Sequence, residues 1–434
     1  MKDIKGYRHI PRVLFVIITF LVGALPVRSV PTFIELLFGA MLSQAGFVTR
    51  AWMDVSMHRH WTSYYKWLQK GKWSWVALGL QMARLIRSLF PSKCHLIVID
   101  DTIILRASKK APDSKIHHQH GNKPNRPRYV RGQCWVSLAQ VVEKGLAKAA
   151  IPLLSRMMRA DGNTSKLDAA KVLIRAVAPV FAGQKTCLLM DSWYMRGGLI
   201  AYASKQNIRV IGQVRKDTAL YDVPIPTGKR GRPRKYGDKY TPERVAQLPE
   251  KRARMFLYGK KQRLFYKSVV AKARFLNGTQ VKVVWTCFEN EDGSRMKPRL
   301  ILSTDLSLTP RQIIDTFSRR WTIETMFAQL KNNWGWKEAW QQTRQVLHRW
   351  TQILSIGYAI PQFLALKGCH QIAMLKNLTP WRSKKALTAG QVRLGLNRIF
   401  GHVSVRAWWN PKSRKFEPPD SPESPNYQDI APFM

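Results

Sequence analysis

Acidic residues are scarce in this sequence. Of 434 residues, 26 are Asp or Glu and 72 are Lys or Arg, so the formal net charge is +46. The basic excess runs along the whole chain, which excludes a globular domain with a single basic tail. An imbalance of this size predicts a polyanionic partner. Nucleic acid is the first candidate, and an anionic membrane surface is the alternative.

Cysteine is also sparse, and its spacing excludes two common small scaffolds. The five cysteines are odd in number, lie far apart and form no Cys-x-x-Cys pair (Cys94, Cys134, Cys187, Cys287 and Cys369). A zinc ribbon needs closely spaced pairs and a disulfide framework needs an even set, so neither is expected. The pattern favours a reducing compartment such as the cytoplasm.

Long apolar runs are missing as well. Residues 13–25 are apolar apart from Thr19, but this run is too short to span a bilayer as a helix. Basic residues precede it, as in a signal peptide, yet Pro26-Val-Arg-Ser follows in place of a small-x-small cleavage site. We therefore predict a buried helix of an N-terminal helical domain, and no membrane partner.

Apolar and aromatic residues are plentiful enough for a folded core. Sixteen Trp and 45% hydrophobic residues favour two or three packed domains over a disordered basic chain. The pattern predicts a helical N-terminal DNA-binding domain (1–92), an α/β core in two parts (93–216 and 307–345), a β-rich insertion (217–306), a helical C-terminal region (346–415) and a flexible tail (416–434). Bases and aromatics on the N-terminal helices fit a helix-turn-helix-like DNA reader or a plain helical bundle.

Two apolar, β-branched runs in the core are predicted to be buried strands that end in aspartate. Residues 96–100 lead into Asp100-Asp101-Thr102, and residues 186–191 end in Asp191. Residues 107–132 are predicted to be a polar loop, and residues 134–142 and 149–154 are predicted to be the two strands of a hairpin. Pro152 either argues against the second strand or makes it an edge strand. Helices alternate with these strands, so a mixed α/β sheet is expected.

A helix is predicted from Pro310 to about residue 334. Thr309 is its expected N-cap, and Gln312 completes a capping box. Four of its residues fall on one stripe because they are separated by helical intervals (Phe317, Arg320, Glu324 and Lys331). A carboxylate between an arginine and a lysine suits a metal ion with phosphates beside it, whereas a solvated helix with ordinary ion pairs is the alternative.

Asp100, Asp191 and Glu324 together form a candidate site. Each aspartate alone would usually be a helix cap or a turn former. Three carboxylates in one cleft would repel each other unless cations joined them, and two Mg²⁺ ions bound through oxygen ligands would supply that charge. Such a pair can activate a water or a 3′-hydroxyl and stabilise the leaving oxygen in phosphoryl transfer.

These motifs resemble a known family, the bacterial insertion-sequence transposases of the DDE type with an RNase H-like catalytic core. More narrowly, the helix resembles the group marked by a Y-(2)-R-(3)-E-(6)-K signature, with Phe317 in place of Tyr. Asp100-Asp101-Thr102 resembles the family's first motif, D-x-T/S, and Asp191-Ser-Trp-Tyr194 resembles its second. A β-rich insertion before the Glu helix is also typical of this group, and the resemblance covers roughly residues 40–345.

The resemblance implies a role for each matched residue. Asp100, Asp191 and Glu324 would be the catalytic ligands of two Mg²⁺ ions, for which Mn²⁺ can substitute, and Arg320 and Lys331 would hold phosphates. Asp101 is the rival first ligand, but Asp100 is preferred because it leaves Thr102 in the third place of the motif. Trp193 would stack on a base near the cut or pack in the core.

A basic segment at the start of the insertion is a further candidate for contact with DNA. Arg230-Gly-Arg-Pro233 matches the core of an AT-hook, which lies in a narrow minor groove. Its DNA-binding candidates are Arg230, Arg232, Arg234 and Lys235. The alternative is a basic linker that grips phosphates without reading sequence.

The function implied by the resemblance is that of a DNA transposase. It would cleave double-stranded DNA at the ends of its element, join the 3′-hydroxyls to target DNA, work as a homodimer on synapsed ends and be associated with the bacterial nucleoid. The alternatives are an RNase H-fold nuclease or junction resolvase, and a domesticated, non-catalytic DNA-binding protein. Intact carboxylates at all three positions count against the last of these.

Overall fold

The N-terminal part of the protein is helical. The computed structural model describes residues 10–118, 127–161, 165–225, 233–368, 380–382 and 385–417. Its first five helices are α1 (Arg12–Val22), α2 (Val30–Leu42), α3 (Val48–Asp54), α4 (Trp61–Lys70) and α5 (Trp75–Leu89). Helix α1 buries Leu14, Ile17 and Leu21 completely, as predicted for the apolar run. Within the described ranges, no helix combines the length and apolar composition needed to cross a bilayer.

One mixed sheet of eleven strands forms the centre of the molecule. Its spatial order is β2-β3-β1-β5-β6-β11-β10-β9-β7, with β4 paired to β3 and β8 paired to β9. The β1–β5 and β5–β6 pairs are parallel, and the other pairs are antiparallel. The strands are β1 (His95–Leu105), β2 (Lys115–His118), β3 (Tyr129–Lys144), β4 (Ala147–Met157), β5 (Thr186–Met190), β6 (Ile208–Val214), β7 (Leu220–Tyr221), β8 (Lys251–Leu257), β9 (Lys260–Ala273), β10 (Thr279–Phe288) and β11 (Arg299–Ser303).

Helices cover both faces of this sheet, which is the expected mixed α/β arrangement and is consistent with an RNase H-like fold. The helices after α5 are α6 (Lys166–Val177), α7 (Gly197–Lys205), α8 (Pro242–Gln247), α9 (Pro310–Ser318), α10 (Thr322–Asn332), α11 (Arg344–Lys367) and α12 (Ala389–Phe400), of which α12 packs on α11 and α2. A two-stranded ribbon of β12 (Trp409–Asn410) and β13 (Lys415–Phe416) follows, so the C-terminal region is not helical throughout. The domain boundary numbers stay predictions.

The first predicted strand is longer than its sequence pattern indicated. Strand β1 does not end at Asp100 but runs on to Leu105, because its antiparallel partner β3 continues as far as Gly132 opposite Leu105. The residues predicted to be a polar loop also include the short strand β2 and the start of β3. Of the two alternatives for Pro152, the edge strand is confirmed: among the described residues β4 pairs with β3 alone, and Pro152 lies at a register shift between them.

The predicted helix from Pro310 is interrupted once. Its capping box is confirmed, since Thr309 and Gln312 each accept a hydrogen bond from the other's backbone N–H. Between α9 and α10, however, residues Arg319–Trp321 form a 3₁₀ turn. Side chains compete with the backbone there: the Ser318 hydroxyl donates to the Asp315 carbonyl at 2.6 Å, and the Thr322 hydroxyl donates to the Arg319 carbonyl at 2.8 Å. Because a 3₁₀ turn is wound more tightly than an α-helix, the side chains of α10, Glu324 among them, do not continue the regular spacing of α9.

The β-rich insertion shares the core sheet. Strand β11 pairs with the core strand β6 from Leu300 to Ser303, and β10 and β9 continue outward from it. The expected strands are therefore present, but they extend the central sheet and do not form a second one. This continuity fixes the insertion rigidly to the strand beside β5.

Helix α11 joins the N-terminal helices to the sheet. The buried guanidinium of Arg349 donates to the carbonyls of Leu68, Gly71 and Trp73, each at 2.7 Å or less. A close backbone approach lies nearby, since a Cβ added at Gly46 would stand 1.7 Å from the carbonyl oxygen of Gly335. The segment after α10 is thereby held against the turn between α2 and α3.

Candidate active site

Asp100 and Asp101 point to opposite faces of the sheet because successive residues of a strand alternate. Asp100 shares its face with Thr102, which contacts Lys331 of α10. Asp101 shares its face with Cys134 of β3 and contacts Lys166 at the start of α6. The choice between Asp100 and Asp101 as the first metal ligand is therefore a choice between two faces of the sheet, one with Lys331 and the other with Lys166.

Asp191 lies beside Asp100 across the parallel β1–β5 pair. The last paired residues are Val98 and Leu189, and the same register continued by two residues sets Asp100 next to Asp191. The Asp191 Oδ1 accepts hydrogen bonds from the backbone N–H groups of Trp193 at 3.0 Å and Tyr194 at 3.1 Å. The turn after β5 thus fixes the direction of this carboxylate.

Arg320 connects Asp100 to Glu324. Its Nη1 is 3.5 Å from the Asp100 Oδ2, and its Nη2 donates to the Glu324 Oε1 at 2.6 Å. The side chains of Arg320 and Asp100 are 15% and 17% exposed, whereas that of Glu324 is 36% exposed. The structure therefore brings all three predicted carboxylates into one neighbourhood, called the cleft below, in which Glu324 is more exposed than Asp100.

The charge of Asp100 is poorly tolerated in this cleft. Burial first, and then the negative charges of the neighbouring Asp191 and Asp101, raise the pKa of Asp100 to a net value of about 7. The Asp101 N–H, which donates to the Asp100 Oδ1 at 2.8 Å, and the Arg320 guanidinium act in the opposite direction on this pKa. A further cation near Asp100 and Asp191 would relieve the repulsion between them.

Lys331 of α10 contacts strand β1 two residues beyond Asp100. Its Nζ donates to the Thr102 Oγ1 at 2.9 Å. Below it, the buried Arg106 donates to the carbonyls of Lys337 at 2.6 Å and Ala339 at 2.8 Å. The strand that carries Asp100 is thereby braced against the segment that follows α10.

Aromatic residues surround Arg320. Phe317 is 5% exposed and its ring lies under the Arg320 guanidinium, so this position is a packing position. Trp321, which directly follows Arg320, is 52% exposed and meets Tyr258 from the β8–β9 turn edge-to-face at 6.4 Å. Neither Tyr258 nor Trp321 was predicted from the sequence to lie here, although the position of Trp321 directly after Arg320 indicated that it could.

Trp193 and part of the basic segment are at the surface of the protein. Trp193 is 36% exposed, and the Lys166 Nζ lies 4.1 Å from its ring centre, so it does not pack in the core. Arg234 and Lys235 are exposed. Arg230 and Arg232, the inner arginines of the AT-hook-like motif, lie outside the described residues.

The donor set suits Mg²⁺, although the side chains are not yet gathered around one point. In the part of the chain that the structure describes, no group of three or more His, Cys, Asp or Glu side chains is arranged to hold a metal ion. Arg320 stands between Asp100 and Glu324 and separates them. Carboxylate oxygens are nonetheless the ligands that Mg²⁺ prefers, and the raised pKa of Asp100 is a physical reason for a cation there.

Carboxylates from β1, from the turn after β5 and from α10 meet at one mixed α/β sheet, an arrangement consistent with a nuclease-type enzyme. A family model described as DDE superfamily endonuclease matches residues 36–262, more than half of the chain, and the chain belongs to this family. The match contains Asp100 and Asp191 and ends before the helix with Glu324. None of the curated proteins compared with the chain shows significant similarity to it. DDE-type nucleases generally use divalent metals.

Proposed function

We propose that this protein is a DNA transposase that cleaves the ends of its insertion sequence and joins the 3′-hydroxyls to target DNA. The observation that carries the proposal is the bridge of Arg320 between Asp100 and Glu324, with Asp191 beside Asp100. Three carboxylates from separate segments thereby lie close to one another, with Arg320 between two of them, in a chain whose net charge is +46.

In this proposal Asp100, Asp191 and Glu324 hold two Mg²⁺ ions, and Mn²⁺ substitutes for them. When bound, the two ions supply activation of the attacking water or 3′-hydroxyl and charge stabilisation at the leaving oxygen. The Arg320 guanidinium has five N–H donors, and its two carboxylate contacts leave it able to bind a phosphate oxygen as well. Lys331 places a second positive charge beside β1, where the phosphate next to the cut would lie.

The surface around the cleft supports a long DNA partner. Exposed basic residues line the hairpin of β8 and β9, where Arg254 lies directly opposite Arg263 (Lys251, Arg252, Arg254, Lys260, Lys261 and Arg263). Like charges at paired positions destabilise a free sheet, so such a pair favours a polyanion on this face. The β-rich insertion and the basic N-terminal helices favour transposition over simple cleavage by a nuclease or resolvase. Synapsis of two DNA ends by a homodimer belongs to the same proposal.

The test is Mg²⁺-dependent cleavage of DNA that carries the inverted repeats flanking the gene. Asp191→Asn and Glu324→Gln should each abolish cleavage and leave DNA binding unchanged, because each keeps the side-chain volume and removes one ligand charge. Matched controls are Asp217→Asn and Glu250→Gln, which lie on the surface in ion pairs with Arg215 and Arg295. Cleavage at the wild-type rate by either site variant would refute the metal-ligand assignment.

Strand transfer separates the two enzymatic functions. Precleaved ends incubated with a supercoiled plasmid and Mg²⁺ should become covalently joined to it through their 3′-hydroxyls. Cleavage without joining would instead favour an RNase H-fold nuclease or resolvase. Binding without either reaction would favour a domesticated DNA-binding protein.

A further inference from the structure

Asp101 lies on the opposite face of the sheet from Asp100 and Arg320, and its carboxylate contacts three side chains there. Its carboxylate accepts two contacts from the Lys166 Nζ, at 2.9 and 3.1 Å, and a hydrogen bond from the Tyr194 hydroxyl at 3.0 Å. The Cys134 thiol lies 3.7 Å from its other oxygen. Lys166 balances the charge of Asp101, so this carboxylate is held in place by partners of its own.

Tyr194 contacts both aspartate-bearing segments. Its hydroxyl donates to Asp101 on β1, and its backbone N–H donates to Asp191 in the turn after β5. The Tyr194 side chain is fully buried, and a tyrosine hydroxyl buried with a carboxylate acceptor makes a strong, directional bond. Tyr194 therefore links Asp101, which directly follows Asp100 on β1, to Asp191.

The hydrogen bond between Tyr194 and Asp101 lies beyond the point where backbone pairing between β1 and β5 ends. The β1–β5 ladder ends at Val98 and Leu189, two residues before the facing aspartates. Asp100 and Asp191 repel each other, and Asp191 is carried by a turn that could relax away from β1. The bond between Tyr194 and Asp101 crosses the same gap as the missing ladder bonds and opposes that movement.

We propose that Asp101 and Tyr194 are positioning residues that hold the Asp191 turn beside Asp100, and that Asp101 is not itself a ligand. The proposal rests on the proposed function, since it takes Asp100 and Asp191 as the metal-binding pair. Mutation of residues that orient metal ligands without touching the metal typically lowers the affinity for the metal by 10- to 100-fold. Tyr194→Phe removes only the hydroxyl and should therefore raise the dissociation constant for a divalent ion by about tenfold or more.

The experiment measures Mn²⁺ binding to the full-length protein by electron paramagnetic resonance, which does not depend on catalysis. Asp101→Asn keeps an oxygen that can accept from Tyr194, so its affinity should stay within roughly threefold of wild type, whereas Asp101→Leu should match Tyr194→Phe. The double variant Asp101→Leu/Tyr194→Phe should lose no more than either single change. The control is Tyr358→Phe, which removes a buried hydroxyl bonded to the Ala150 carbonyl elsewhere in the core.

Each outcome decides between the alternatives. Wild-type affinity in Tyr194→Phe, with binding lost in Asp191→Asn, would overturn the positioning role and leave the proposed function standing. Loss of binding in Asp101→Asn as complete as in Asp100→Asn would make Asp101 a ligand. No Mn²⁺ binding by the wild type, or none that depends on Asp191, would overturn both proposals. If Tyr194→Phe unfolds at the assay temperature, Asp101→Leu tests the same bond from its other end.

Discussion

The Nζ atom of Lys331 donates a hydrogen bond to the Oγ1 of Thr102, 229 residues away in the chain. This contact joins the last position of the Phe317–Lys331 signature to the last position of the Asp-Asp-Thr motif. Two patterns that are separate in the sequence thus form one wall of the cleft. A lysine held in this way presents its charge at a fixed place.

Lys331→Ala should therefore weaken binding of the cleaved DNA end. Loss of one phosphate contact lowers the slope of log K against log[salt] by about 1. The measurement is a salt titration of fluorescence anisotropy with a DNA end. Lys205→Ala, an exposed lysine at the far end of α7, is the control and should change neither the affinity nor the slope. An unchanged slope in Lys331→Ala would place the phosphate elsewhere.

Divalent-metal binding should strengthen as pH rises through neutrality. Burial and the nearby Asp191 raise the pKa of Asp100 to about 7, and only the ionised carboxylate can be a ligand. Below that pH a proton must leave when the metal binds, so the apparent affinity should fall as pH decreases. Calorimetry at pH 7 in buffers of different ionisation enthalpy should show about half a proton released per protein. Asp100→Asn should show no metal binding in this titration and therefore no linked proton release.

Acid should destabilise the protein through His348. Burial lowers the pKa of His348 to about 4, and its neutral ring accepts from the Met157 N–H at 3.2 Å and donates to the Arg344 carbonyl at 2.9 Å. Between pH 6.5 and 4 the unfolded chain binds this proton and the folded chain does not, so stability falls as pH falls. The loss should be on the order of 2–3 kcal/mol.

Melting temperatures measured from pH 7.5 to 4.5 test this effect. His348→Gln should melt lower at pH 7.5 and show a flatter dependence on pH than the wild type. The control, His60→Gln, changes an exposed histidine that bonds to Thr62 and should leave the pH dependence as it is. An equally steep pH dependence in His348→Gln would assign the acid sensitivity to other groups.

Arg106→Met should destabilise the fold without removing a cleft residue. The guanidinium is 6% exposed and satisfies the carbonyls of Lys337 and Ala339 together with the Gln133 side chain. Leaving these acceptors unpaired in the interior should cost roughly 2–4 kcal/mol. Urea unfolding at pH 7.5 measures the change, with Arg84→Met on the exposed face of α5 as the control.

The facing arginines of the β8–β9 hairpin should affect stability and DNA binding in opposite directions. Arg254 and Arg263 are directly opposed and exposed, so replacing both with Ala should stabilise the free protein slightly, by about 0.5 kcal/mol. The same change should weaken DNA binding and reduce its salt dependence. Arg295→Ala, which breaks the ion pair with Glu250, should weaken DNA binding less. Equal DNA affinity in the double variant would exclude this hairpin from the interface.

The sequence predicted best those features that depend on local patterns. The apolar runs before Asp100 and Asp191 indicated buried strands, and the capping box of Thr309 and Gln312 indicated where the helix begins. Both signals lie within a few residues of the structure that they specify. The net charge of +46 indicated a polyanionic partner, and the helical spacing of Arg320 and Glu324 indicated that their side chains lie close together.

The features that the sequence did not predict depend on contacts between distant residues. Strand β1 continues past Asp100 only because β3 pairs with it. The 3₁₀ turn at Arg319 is held in part by an ion pair with Glu143 of β3, 176 residues away. Alternation along β1 could have separated Asp100 from Asp101, but the partners of Asp101 come from α6 and the turn after β5. Single-sequence patterns contain no record of such pairings.

The contact between the N-terminal helices and α11 can form only late in translation, because its two sides are far apart in the chain. The Trp350 indole donates to the Gly46 carbonyl across 304 residues of chain. At synthesis rates of about 5–20 residues per second, roughly 15–60 s pass between the emergence of these two partners from the ribosome. During that interval the apolar surface of α2 has no α11 to cover it. We therefore expect a nascent chain of this protein to bind chaperones that shield apolar helices until translation is nearly finished.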